Sequence, residues 1–155
     1  MGRRTLGAAG RALLAAAALA AAAPASAGLG ERADAIAEDR KALEAEPGGS
    51  IAHERYTVER MRSPANEVRE YVSPSGVVFG VAWDGISHPD LDRLLGAYAP
   101  DWKRAAAKPS TGSKRHRRVR AGALVVETWG HMRSLHGRAW VGSLVPRGVS
   151  ADAIR

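Results

Sequence analysis

Read for the spacing of its apolar positions, the chain changes character several times. Residues Ala12 to Ala23 are apolar without interruption, with Arg3, Arg4 and Arg11 before them and Pro24-Ala25-Ser26-Ala27 after them. From Glu31 to Glu46 the alanines, Ile36 and Leu43 favour a helix, which Pro47-Gly48-Gly49 terminates. The period then becomes two: Ala52, Glu54, Tyr56 and Val58 alternate with His53, Arg55, Thr57 and Glu59, the pattern of a half-buried strand. Ser63-Pro64-Ala65-Asn66 supplies a turn, Val68, Glu70 and Val72 a second strand, and Ser73-Pro74-Ser75-Gly76 a tight turn. Val77 to Trp83 is almost wholly apolar and reads as a central strand buried on both faces.

After Asp84-Gly85 the period returns to that of a helix. Ser87 and Asp90 form a start resembling a capping box, with Pro89 tolerated in the first turn. Leu91, Leu94, Leu95 and Tyr98 then make one stripe that must cover a sheet. Pro100 breaks or kinks this helix, and Trp102 continues the stripe. Residues 108–118 contain no apolar side chain and read as an exposed, flexible basic loop. Ala123 to Trp129 and Met132 to Val141 form a hairpin about a turn at Gly130-His131, and Ser150 caps a short terminal turn over Ala151 to Arg155. The expectation is an α+β domain: a mainly antiparallel sheet of about five strands, a three-strand meander plus a C-terminal hairpin, covered by one or two helices.

Several runs resemble a known family. They are Arg69-Glu70-Tyr71-Val72-Ser73-Pro74-Ser75-Gly76-Val77-Val78-Phe79-Gly80-Val81-Ala82-Trp83, Pro89-Asp90-Leu91, Leu124-Val125-Val126-Glu127, Gly130-His131-Met132-Arg133, His136-Gly137-Arg138-Ala139-Trp140 and Gly148-Val149-Ser150-Ala151-Asp152. Together they are similar to an exported bacterial family known as domain of unknown function 2844. The resemblance implies export and a single domain, and assigns no activity to any residue.

The N-terminal pattern sharpens the expectation of export. A basic segment, an apolar core and an Ala-x-Ala site describe a signal peptide over residues 1–27, cleaved before Gly28. As a helix the apolar run would measure roughly 18 Å, short of the roughly 30 Å hydrocarbon core, so it is not a permanent anchor. The destination expected is the periplasm or the extracellular space, and Arg3-Arg4 leaves both the general secretory and the twin-arginine routes open. With no cysteine in the chain, disulfides, thiolate metal sites and lipid anchoring through a cysteine are excluded. The leader holds three of the 23 basic residues and none of the 16 acidic ones, which leaves +4 on residues 28–155, the expected single domain. Five of those charges lie in Lys114, Arg115, Arg117, Arg118 and Arg120, and the rest of the domain is nearly neutral.

No G-x-S-x-G elbow, H-E-x-x-H pair or P-loop occurs. The proposed hairpin does gather Glu127, His131 and His136. A turn at Gly130-His131 sets Glu127 opposite Ser134 and Val125 opposite His136 on one face, and two imidazoles with a carboxylate are the groups of a zinc site or an acid–base pair. The competing expectation for these residues is structural. Trp129 and Trp140 are candidate binding residues because indole joins a large contact area to one donor, whereas Trp83 and Tyr98 belong to the core patterns. The basic run offers weak contact with anionic membrane or an envelope polyanion, on the order of 0.1 mM by its charge alone. Nucleic acid is not an expected partner, and residues 28–155 carry no apolar stretch of membrane-spanning length. The leading expectation is an exported, non-catalytic binding or accessory domain whose partner is an envelope protein or polymer, without cofactor or metal. The alternative is a small envelope hydrolase or metal-dependent enzyme using Glu127, His131 and His136.

Overall fold

The computed structural model describes residues 28–109 and 116–155. The expected leader over residues 1–27 with its cleavage point, and residues 110–115 of the expected basic loop, Lys114 and Arg115 among them, lie outside the described residues. Within them, seven strands form one antiparallel sheet: β1 (Glu46–Ala52), β2 (Thr57–Arg62), β3 (Asn66–Val72), β4 (Val78–Gly85), β5 (His116–Ala121), β6 (Leu124–His131) and β7 (Ser134–Val141), in the order β1-β2-β3-β4-β7-β6-β5. Helices α1 (Ile36–Ala42), α2 (Leu91–Leu95) and α3 (Ala99–Ala106) lie on one face. After β4 the chain runs through α2 and α3 to the far edge and returns strand by strand to pair β7 with β4. No helix of the described residues is long and apolar enough to cross a membrane.

The α+β class and the antiparallel sheet are as expected, but there are seven strands rather than five. The first addition is β1, over Glu-Pro-Gly-Gly-Ser-Ile-Ala, where proline and glycine had signalled only the end of a helix. These residues are tolerated because β1 is a fully exposed edge and its register shifts between Pro47 and Gly49, a bulge at Gly48. The alternating run 52–59 is therefore the corner of a hairpin: β1 ends at Ala52, the His53 amide donates to the Tyr56 carbonyl, and β2 begins at Thr57. The helix expected over 31–46 contracts to a 3-10 turn, Ala33–Ala35, followed by α1. The second addition is β5, over residues read as the end of a loop. Its partner β6 supplies the apolar surface that His116-Arg117-Arg118 lacks.

Local chemistry explains the other ends. The Asp90 carboxylate, rather than Ser87, caps α2 by accepting from the amides of Asp92 and Arg93 at 3.0 and 3.2 Å. Pro100 sits in the first turn of α3, where its missing N–H costs little. Ser150 caps the terminal 3-10 turn Ala151–Ala153 as expected, accepting from the Asp152 amide.

Strand alternation divides the side chains between two cores. On the helix side Met61, Val68, Val81, Trp83, Leu124, Val126 and Ala139 meet Ile36, Leu94, Leu95 and Ala99. On the other face Val58, Tyr71, Phe79, Ala82, Val125 and Trp140 meet the returning tail, whose Ile154 is fully buried. The Tyr71 hydroxyl donates to the Arg155 carbonyl and accepts from the Arg155 amide, at 2.6 and 2.9 Å, fastening the tail down.

Gly137 is a tight joint of the helix-side core. It lies opposite Trp83 in the register, and a Cβ there would sit 2.2 Å from the buried indole. Gly137→Ala is expected to cost about 2 kcal/mol, within the range of overpacking, because the ring is enclosed and has little room to retreat. Urea unfolding of the variant measures this, and a loss below about 1 kcal/mol would show that Trp83 is free to move.

Candidate functional site

The tail covers only part of the second face. Beyond its edge, a row of side chains crosses the sheet from β5 to β2: His116, Trp129, His136, Asp84, Glu67 and Arg62. The Trp129 and His136 rings stack with centroids 5.9 Å apart and planes 16° apart, and His116 lies 6.4 Å from the other side of Trp129. Both contacts follow from directly opposed positions on neighbouring strands. The hydrogen bond from Arg62, at 2.7 Å, holds the Glu67 carboxyl below the ordinary range despite its partial burial. Arg69 joins this end of the row to the sheet through Asp84, at 2.5 Å.

The next row contains Arg118, Glu127 and Arg138. Glu127 is 3% exposed and is held from both sides, by Arg118 at 2.9 Å and Arg138 at 2.7 Å. Each guanidinium also lies over the Trp140 ring, at 5.7 and 5.2 Å from its centroid. Arg138 reaches further and donates to the carbonyls of Ala151 and Ile154. The carboxylate thus sits at the centre of a clamp that ties β5, β6, β7 and the tail together.

The hairpin turns at Met132-Arg133 instead of Gly130-His131, and His131 lies opposite Ser134. The expected facing of Glu127 with Ser134 is replaced by Glu127 with Arg138, while His136 faces Trp129. The register differs by an even number of residues, so Val125, Glu127, Ser134 and His136 still share one face as the pattern implied, whereas His131, expected at the tip of the turn, is instead the last residue of β6 on that same face. They do not converge on a common atom. His136 Nε2 bonds the Ser134 hydroxyl at 3.2 Å, and exposed His131 contacts the carbonyl of Met132. Among the described residues no group of three or more His, Asp or Glu side chains could hold a metal ion. Trp129 is half-buried between two imidazoles, and Trp140 is buried beneath its two arginines. Arg118 and Arg120 are exposed on β5, whereas Arg117 turns to the helix side and donates to the Ala106 carbonyl near the end of α3.

Two polar features of the helix side escaped the sequence pattern. The Trp83 indole N–H donates to His88 Nδ1 at 3.0 Å, and partial burial keeps the His88 pKa below the usual histidine value, which suits a neutral acceptor. Glu70 is fully buried on β3, and neither carboxyl oxygen has a hydrogen-bond partner among the described residues. Burial first, then the neighbouring Asp39 and Glu59 carboxyls, push its pKa well above the ordinary glutamate value. Arg138 was missed as well, although its place opposite Glu127 follows once the turn is set at Met132-Arg133.

A family model described as a protein of unknown function, DUF2844, matches residues 25–154. No curated protein and no solved structure matches the chain.

Proposed function

The chain belongs to the DUF2844 family, and from that premise we propose that it is an exported, non-catalytic binding or accessory domain of the cell envelope. The observation that carries this reading is the engagement of Glu127, the carboxylate an enzyme built on this hairpin would need, between Arg118 and Arg138. A general base or metal ligand must turn a lone pair to substrate or metal, and here each carboxylate oxygen is engaged by a guanidinium and the side chain is buried from solvent. His136 is likewise committed to Ser134 and Trp129. What this face presents outward is a charged and aromatic surface on a rigid sheet, which suits contact with a macromolecule.

Two measurements test the proposal in the native host. Mass spectrometry of the accumulated protein is expected to find Gly28 as the first residue, and an intact leader would remove the case for export. Sedimentation of washed envelopes is expected to carry the protein down in saturable fashion. Protein that stays wholly in the soluble fraction, or turnover of envelope polymer that Glu127→Gln abolishes without unfolding, would overturn the binding reading.

A further inference from the structure

The two edges of the sheet are built differently. At β1 the edge is closed to strand pairing by its own backbone: Pro47 lacks an N–H, Gly48 forms a bulge, and the register shifts there. β5 has neither device. Its six residues pair with β6 without interruption, each carries an N–H, and among the described residues no strand and no backbone hydrogen bond meets its outer edge. What β5 does carry is charge. His116, Arg118 and Arg120 stand exposed on one side, and Arg117 stands on the other.

Such an edge repels a second copy of itself, which places arginine against arginine, but it offers a full ladder of donors and acceptors to a strand of opposite charge. Arg118 and Arg117 are committed to Glu127 and to the Ala106 carbonyl, whereas Arg120 has no ion-pair partner among the described residues. Between the charged positions Val119 points to the helix side, where with Arg117 it borders a small cleft of about 200 Å³ that runs inward between α3 and β6, lined by Trp102, Ala106, Val126 and Thr128. An added strand would thus meet exposed cations on one side of β5 and, past Arg117, Val119 and Ala121 on the other.

We propose that β5 is a docking edge that receives an extended acidic segment of a partner protein as an eighth strand. The segment alternates carboxylates, one of which faces Arg120, with a small apolar residue beside Val119. This inference rests on the binding reading above and names the chemistry of the partner. Main-chain bonds give such a contact its affinity and the alternating side chains its selectivity.

The test uses purified protein spanning residues 28–155 and a fluorescent peptide of alternating glutamate and valine with Gly-Ser ends, followed by anisotropy at low salt. Saturable binding is expected, weaker by about tenfold or more when alternate peptide nitrogens are methylated, and weaker again for a lysine–valine analogue. Hydrogen exchange should slow at β5 amides and not at β1. Arg120→Glu should weaken binding at least about tenfold, with an unchanged thermal midpoint to show that the sheet is intact. Equal binding of the methylated peptide, no binding of the acidic peptide, or binding only to vesicles containing phosphatidylglycerol would each overturn strand addition. Failure in this purified system removes the docking edge alone, whereas failure of envelope sedimentation removes the reading beneath it.

Discussion

Replacing Glu70 by leucine or glutamine is expected to raise stability above neutral pH and to flatten its dependence on pH. The side chain is enclosed on the helix side of β3, opposite Glu59 in the register and near Asp39 of α1. Arg93 gives its ion pair, at 2.9 Å, to Asp39, and Ser50 donates to Glu59 at 2.7 Å, so the nearby donors serve the other two carboxyls. Glu70 is therefore favoured in its protonated form when folded. The unfolded chain loses this proton at the ordinary value and the folded chain only at a higher one. This group's contribution is accordingly complete below the ordinary glutamate pKa and declines as pH rises toward the folded value. Removing the ionisable group is expected to recover on the order of 1–3 kcal/mol at alkaline pH, within the range for buried charges replaced by apolar residues. Urea unfolding at pH 5 and pH 8.5 reads both effects. Were both variants less stable than the parent at pH 8.5, with its slope in pH unchanged, Glu70 would be an ionised group held by a partner.

What the sequence revealed, and what it concealed, follows from how each element is stabilised. Strands β3 and β4 were legible because their apolar side chains report burial directly, as was the stripe Leu91, Leu94, Leu95 on α2. β1 and β5 were not. Edge strands draw most of their stability from hydrogen bonds to one neighbour, so their own side chains need not be apolar. His-Arg-Arg-Val-Arg-Ala alternates in exposure as a strand should, yet its only strongly apolar member is Val119.

The hairpin misled for a different reason. Glycine is the ordinary marker of a turn because it accepts positive φ, and Gly130-His131 carried that marker. The positive φ of the turn falls instead on Arg133, at 66°, while Gly130, at 122°, lies within β6 where a Cβ would strike the Ser134 carbonyl oxygen. Displacing the turn by two residues leaves every side chain on its face but changes every partner. Glu127 and His136 were thus placed on the right surface and beside the wrong neighbours, His131 was placed at a turn it does not form, and Arg138 became visible only with the true register.

That register sets up the sharpest expected loss of stability. Glu127→Ala should destabilise the protein by about 3 kcal/mol, since it removes the buried anion between two guanidiniums and leaves Arg138 only the exposed Asp152 at 3.8 Å. The penalty falls mainly on Arg138, whose side chain is 20% exposed, and less on Arg118, 44% exposed, where water can substitute. Arg138 also holds two carbonyls of the tail, so the loss should spread to the packing of Ile154 and appear as faster amide exchange there. In a thermal scan the change should approach roughly 10 °C for a domain of this size. Glu127→Leu combined with Arg138→Met should recover much of the loss, because an apolar pair of similar volume removes the buried charge together with its partner. A catalytic carboxylate would behave in the opposite way: its replacement would leave stability level or raise it, and adding the Arg138 change would make matters worse. A midpoint for Glu127→Ala within about 1 °C of the parent would therefore dissolve the clamp and return Glu127 to the enzyme reading.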